Sequence, residues 1–95
     1  MNITETLQKA IDTYGEREQS AMAMEECGEL IRAVNKMHRD PNAKNRQNLI
    51  EEIADVSIMM NQLLMMYDID ENEVEDVYTD KICRLRLRLE EVNNK

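Results

Sequence analysis

Two short acidic clusters in the sequence have the residue types and the spacing of a metal site. The first is Glu25-Glu26-Cys27-Gly28-Glu29, and the second is Glu52-Ile53-Ala54-Asp55. Each cluster lies in a segment with helical periodicity, where carboxylates three residues apart are neighbours on one surface and repel each other. No lysine four residues on relieves that repulsion. Oxygen ligands in this number favour Mg²⁺ or a similar hard ion over zinc.

The composition predicts a small, mostly helical domain. The chain has 95 residues, enough for one domain, and two Gly and one Pro leave few turns. It contains no Phe or Trp and only three Tyr, so its core must come from aliphatic residues and eight Met. Long helices with so thin a core often need a partner chain, and we therefore expect an oligomer.

The charge and the cysteines exclude several classes of partner. A net charge of −8 argues against a nucleic acid polymer or an anionic membrane, although one polyanionic ligand can still be held through metal ions. Cys27 and Cys83 have no metal-site spacing and are too few for a disulfide framework. No secretory segment or membrane-spanning run is recognisable, so a cytoplasmic protein is expected.

The periodicity of apolar residues predicts an all-α fold with a four-helix, bundle-like subunit in a single domain over residues 1–95. The predicted helices run from about 3 to 14, from 16 to 38, from 44–47 to 67, and, after a short connection at 68–71, to about 92. Gly15 ends the first helix, and Pro41 marks the clearest break. Asp70 and Glu73 resemble a capping box at the start of the fourth helix.

The same periodicity predicts the face of each helix that packs in the core. The predicted core positions are Ile3, Leu7, Ala10, Ile11 and Tyr14 on the first helix; Ala23, Met24, Cys27, Leu30, Ile31, Val34 and His38 on the second; Leu49, Ile53, Val56, Met60, Leu63, Leu64 and Tyr67 on the third; and Val74, Val77, Tyr78, Ile82, Leu85, Leu89 and Val92 on the fourth. Apolar residues from Ile58 to Met66 wrap most of the third helix, so one of its faces should meet another subunit.

Both acidic pairs lie at matching angles from these apolar stripes. At about 100° per residue, Glu26 and Glu52 lie roughly 80–85° from the centre of their stripes. Glu29 and Asp55 lie roughly 140–145° away in the same rotational sense. If the second and third helices pack antiparallel, the four carboxylates converge beside the seam, which is a recurrent way for a bundle to build a metal site.

Together the two clusters resemble the signature of a known family. Glu25-Glu26-x-x-Glu29, a gap of 22 residues and then Glu52-x-x-Asp55 are similar to the EExxE…ExxD motif of the MazG-type all-α nucleotide pyrophosphohydrolases. The hydrophobic context also matches, in Glu26–Leu30 and in Glu51–Val56. Tyr14-Gly15 and Gln19 look like those of small single-domain members, and the resemblance covers about residues 7–90.

The resemblance implies hydrolysis of a nucleoside triphosphate to its monophosphate and pyrophosphate, in nucleotide-pool house-cleaning. It implies that Glu26, Glu29, Glu52 and Asp55 bind Mg²⁺, or alternatively Mn²⁺, and that these acids form the catalytic set. Glu25 joins that set in a supporting role or is ordinary surface, because the helical wheel turns it away from Glu26. The family also implies a subunit that dimerises and sometimes forms tetramers.

Basic and polar residues outside the clusters are candidates for substrate binding. Lys81 falls among the apolar positions of the fourth helix, so its ammonium either finds the substrate phosphates or snorkels to the edge of the stripe. Arg84 lies one turn further and is the second candidate. Tyr14 and Gln19 lie where base or sugar discrimination is expected.

Two other functions remain open from the sequence. One is the related phosphoribosyl-ATP pyrophosphohydrolase, although the Leu-Leu-Tyr-His run associated with that branch is absent after Asp55, where Val56-Ser57-Ile58-Met59 stands. The other is a catalytically idle helical bundle that serves in oligomerisation or regulation. Loss of Mg²⁺ binding by a folded chain would favour the idle bundle.

Overall fold

The computed structural model describes residues 1–94, and their secondary structure is entirely helical. The four helices are α1 (Ile3–Tyr14), α2 (Glu16–Arg39), α3 (Ala43–Met66) and α4 (Glu71–Asn93). The predicted all-α class is confirmed, and the predicted helix boundaries are close to those observed. None of the helices in residues 1–94 is both long and apolar enough to cross a membrane.

Short polar caps and one glycine define where the helices begin and end. Asn2 and Asn42 accept hydrogen bonds from backbone N–H groups in the first turns of α1 and α3. The predicted capping box is present at α4, where the Asp70 N–H donates to Glu73 Oε2 at 2.8 Å. Gly15 joins α1 to α2 with a φ of 94°, a conformation that residues with a Cβ rarely adopt.

The antiparallel pair α2–α3 is the centre of the fold. At one end the Ser20 and Tyr67 hydroxyls are hydrogen-bonded at 2.9 Å. At the other end the Asn45 side-chain amide donates to the Asp40 carbonyl at 2.8 Å, which ties the turn between the two helices. α1 packs against both helices, and the core that results contains Ile11, Ala23, Ala33, Val56 and Met59, together with the buried amides Gln19 and Gln62.

α4 stands apart from the unit formed by α1, α2 and α3. Every described residue of α4 is exposed, and none of the other helices packs closely along it. The radius of gyration is therefore 17.1 Å, against about 12 Å for a compact domain of this length. The prediction that the apolar stripe of α4 packs inside its own subunit is wrong for a single chain.

The packed faces of α2 and α3 are rotated relative to the prediction. On α2 the inward positions are Gln19, Ala23, Glu26, Leu30, Ala33 and Met37, spaced alternately four and three residues apart. Met24 and Ile31, which the periodicity placed in the core, are 71% and 70% exposed. On α3 the predicted core residues Ile53, Met60 and Tyr67 are likewise exposed. As a result, the acidic residues lie closer to the α2–α3 seam than the periodicity predicted, and an apolar stripe is left uncovered.

Other residues that were expected in the core also lie at the surface. On α1, Ile3 and Tyr14 are exposed, whereas Ile11 is buried and Leu7 is half-buried. On α2, Cys27, Val34 and His38 are exposed. The hydrophobic interior of a single chain is consequently small, and much of its apolar surface meets solvent.

Candidate metal centre

Three carboxylates from the two central helices meet at the α2–α3 seam. Glu26 on α2 and Glu52 and Asp55 on α3 each place a carboxylate oxygen within 4.8 Å of the other two. Glu26 lies on the packed face of α2, and Glu52 and Asp55 lie three residues apart on α3, so the three carboxylates face the same point of the seam. We call these three residues the acidic cluster.

The environment of Glu26 disfavours the ionised form of this one carboxyl group and raises its pKa. Partial burial raises the pKa of Glu26, and the charges of Asp55 and Glu52 raise it further. Glu29, one turn along α2, acts in the same direction. A neighbouring cation would reverse the effect of these charges, because it favours the ionised form of every carboxylate near it.

Glu52 supplies the clearest sign that the cluster lacks a partner. Its Oε2 atom is buried and accepts no hydrogen bond from the protein. A buried carboxylate oxygen without a donor or a cation is costly, and such groups are normally paired or coordinate metals. The donor set therefore fits a hard divalent cation, which prefers carboxylate oxygens.

The remaining acids of the predicted set lie beside the cluster and do not join it. Glu29 is exposed and forms an ion pair with Arg32, one turn further along α2. Glu25 is exposed on the surface of α2. The structure thus brings together three of the four predicted metal ligands and leaves the fourth one helical turn away.

A second polar layer lies along the same seam. Gln19 precedes Glu26 by seven residues and Gln62 follows Asp55 by seven. Since α2 and α3 are antiparallel, both amides lie in the same direction from the cluster, at about 10.5 Å. Both are buried, and Gln62 Oε1 has no hydrogen-bond partner. Sequence reasoning named Gln19 and missed Gln62, whose only signal was its seven-residue distance from Asp55.

The other predicted substrate-binding residues are exposed at the surface. Tyr14 is exposed at the end of α1. Lys81 and Arg84 lie on α4, where they border a shallow surface groove with Leu87 and Arg88. The expectation that Lys81 turns toward the bundle of its own chain is wrong, because α4 does not pack on that bundle.

The acidic cluster lies on an antiparallel helical pair with the donor set of a metal site, and a comparison with known families identifies the domain that carries it. The model of the MazG nucleotide pyrophosphohydrolase domain matches residues 3–88. The chain belongs to this family. No curated protein and no solved structure matches the chain.

Proposed function

We propose that the protein is a Mg²⁺-dependent pyrophosphohydrolase that converts a nucleoside triphosphate and water to a nucleoside monophosphate and pyrophosphate. The observation that carries the proposal is the acidic cluster, with the unpartnered Oε2 of Glu52 buried inside it. Family membership supports the reaction class. A role in clearing unwanted nucleotides from the cellular pool, as a cytoplasmic enzyme, belongs to the same proposal.

Each residue of the cluster has a distinct part in this proposal. Glu26, Glu52 and Asp55 would hold the ion. The carboxylate of Glu29 would complete the set by leaving its ion pair with Arg32 and binding the metal. A bound Mg²⁺ neutralises phosphate oxygens, positions the triphosphate and lowers the pKa of a coordinated water. Glu25, exposed beside the cluster, is proposed to orient solvent and not to bind the ion.

The reaction is tested by measuring pyrophosphate release across canonical and modified nucleoside triphosphates, with Mg²⁺ and with excess chelator. We expect equimolar monophosphate and pyrophosphate in the presence of the ion and neither product without it. Mn²⁺ should substitute for Mg²⁺. A folded protein that binds Mg²⁺ and releases no pyrophosphate from any nucleotide would contradict the enzyme and favour the idle helical module.

A variant of Lys81 tests whether α4 contributes to the substrate site in the assembled protein. Replacing Lys81 with Met keeps the packing of the side-chain stem and removes the charge. If Lys81 binds the substrate phosphates, kcat/KM should fall by about 10- to 100-fold, the range for a charged hydrogen bond, while Mg²⁺ affinity changes little. Unchanged kinetics in Lys81→Met would assign the lysine to the surface of α4.

The proposed active form is a homodimer in which α3 is prominent in the interface, and two such dimers would give a tetramer. Support comes from an uncovered surface that we call the α2–α3 apolar face. Its residues are Met24, Cys27, Ile31 and Val34 on α2, and Ile53, Met60 and Tyr67 on α3. The α3 members are spaced by seven residues, so they form one stripe along the helix.

A further inference from the structure

The turn between α2 and α3 carries a basic surface in a chain that is otherwise strongly acidic. Residues 30–50 contain five Lys or Arg and one acid, whereas the rest of the chain contains seven Lys or Arg and nineteen acids. Of the five bases, only Arg32 forms an ion pair within residues 1–94, with Glu29. The other four are exposed and pair with no carboxylate in that part of the chain. They are Lys36, Arg39, Lys44 and Arg46.

Three of these bases surround a shallow cavity between the end of α2 and the start of α3. The cavity has a volume of about 530 Å³, and we call it the basic cavity. Its lining residues are Lys36, Arg39, Asp40, Lys44 and Asn45. Asp40, the single acid of the lining, already accepts a hydrogen bond at its Oδ2 atom from the side chain of Asn42. The lining contains no aromatic or aliphatic side chain, so the cavity suits a charged ligand and offers no surface to a nucleobase.

The macrodipoles of the two helices explain only part of this basic surface. Cations near the C-terminus of a helix are favourable, so the last turn of α2 stabilises Lys36 and Arg39. Lys44 lies in the first turn of α3, where the dipole is positive, and no acid occupies that turn. Its charge is therefore unfavourable in the folded protein unless an anion lies beside it.

The basic cavity lies on the same side of the α2–α3 pair as the acidic cluster. Lys36 follows Glu29 by seven residues, and Lys44 precedes Asp55 by eleven. At about 100° per residue, each lysine lies within about 20° of that acid around its helix. The rise of the helices separates the first pair by about 10.5 Å and the second by about 16.5 Å. A phosphate group held between the two lysines is therefore not a ligand of an ion in the acidic cluster.

The size and charge of the basic cavity select a short polyphosphate. Three cations match an anion with several adjacent charges, and Lys and Arg are common side-chain donors to phosphate oxygens. A long polyanion such as a nucleic acid would extend beyond the turn onto a surface with an excess of acids, which repels it. A chain of two or three phosphates fits within the turn.

We propose that the basic cavity binds the phosphate chain of a small polyphosphate, such as pyrophosphate or the triphosphate of a free nucleotide. Only the phosphates are recognised, because the lining offers charges and an amide and nothing on which a base could stack. The site needs no metal ion and does not depend on the proposed reaction.

Titration calorimetry with inorganic triphosphate tests the site, in excess chelator and at low ionic strength, where surface charges are screened least. The chelator removes any contribution from an ion in the acidic cluster. The wild type should bind the anion. Lys36→Gln with Lys44→Gln should weaken binding by about tenfold or more, because two charged contacts to phosphate are lost.

The matched control is Lys9→Gln with Arg17→Gln, which removes the same net charge from exposed positions on α1 and at the start of α2. It should bind inorganic triphosphate as the wild type does. Equal affinities in the two double variants, with native helix content by circular dichroism, would overturn the assignment.

Nuclear magnetic resonance locates the bound anion in the wild-type protein, without any substitution. On titration with inorganic triphosphate under the same conditions, the largest shifts of backbone amide resonances should fall in residues 36–46. Largest shifts in residues 81–88, the basic part of α4, would assign the anion to α4 and would overturn the basic cavity as its site.

Nucleotides test whether the phosphates alone are recognised. A nucleoside triphosphate should bind as tightly as inorganic triphosphate, and a nucleoside monophosphate should bind more weakly because it has fewer adjacent charges. A nucleoside triphosphate that binds more than about tenfold tighter than inorganic triphosphate would overturn recognition by phosphates alone, since this difference corresponds to a further contact of about 1.4 kcal/mol.

Discussion

Replacing Glu52 with Gln is expected to lower nucleotide hydrolysis by about 10²–10³-fold, of the order seen when one preorganised electrostatic group of an active site is removed, because the substitution takes away a ligand of the proposed ion. The fold should remain intact, because the amide is nearly isosteric with the carboxylate. Glu52 is half-buried and its Oε2 is unpartnered, so it is the cluster member most dependent on a cation.

In the absence of metal, the same substitution should make the folded protein more stable. Removing one of three clustered charges relieves repulsion worth a few tenths of a kcal/mol per pair, which raises Tm by about 2–4 °C. Added Mg²⁺ should stabilise the wild type by mass action and should stabilise Glu52→Gln much less. Thermal melts with and without Mg²⁺ therefore report on the site independently of any substrate.

The neighbouring residue gives a matched control for these measurements. Glu51→Gln removes the same charge from an exposed position outside the acidic cluster. It should leave turnover and the Mg²⁺-induced rise in Tm close to those of the wild type. If Glu51→Gln and Glu52→Gln behave alike in both assays, the acidic cluster is not the metal centre.

Placing a charge on the α2–α3 apolar face is expected to halve the mass of the assembly. Met60 is 53% exposed in one chain and lies between Ile53 and Tyr67 on the exposed stripe of α3. In Met60→Lys a second copy would have to bury an unpaired ammonium, which is strongly unfavourable. Light scattering at micromolar concentration should therefore show half the mass of the wild-type protein.

Gln47→Lys adds the same charge to α3 at an exposed position near its start, away from the stripe. It should assemble as the wild type does. A wild-type protein that is already monomeric, or a Met60→Lys variant with unchanged mass, would show that the α2–α3 apolar face is not a subunit interface.

The helices and three of the four predicted metal ligands could be predicted from the sequence, because both depend on features that lie close together along the chain. Pro41, Gly15 and the Asp70–Glu73 capping box act within a few residues of the chain, so the helix boundaries could be predicted closely. The convergence of Glu26, Glu52 and Asp55 required only helical spacing and antiparallel packing, and the structure shows both.

The packed faces could not be predicted because periodicity identifies an apolar stripe and not the surface that covers it. Met24 and Ile31 shifted the calculated centre of the α2 stripe away from the seam, although the structure exposes both. A glutamine is usually expected at the surface, yet Gln62 is only 2% exposed at the seam. The separation of α4 was missed for the same reason, since a complete amphipathic pattern is equally consistent with a partner in another chain.

The two polar layers of the seam have a consequence for how α2 and α3 recognise each other. Apolar side chains alone allow a pair of helices to slip by one heptad, because the interdigitation repeats every seven residues. A slip in either direction would move Glu26 away from Asp55 and Gln19 away from Gln62. One buried amide at a helix interface is known to fix register. Here the amides and acids together would select a single register. The interface would be less stable than an entirely apolar one, but it would allow only one alignment of α2 and α3.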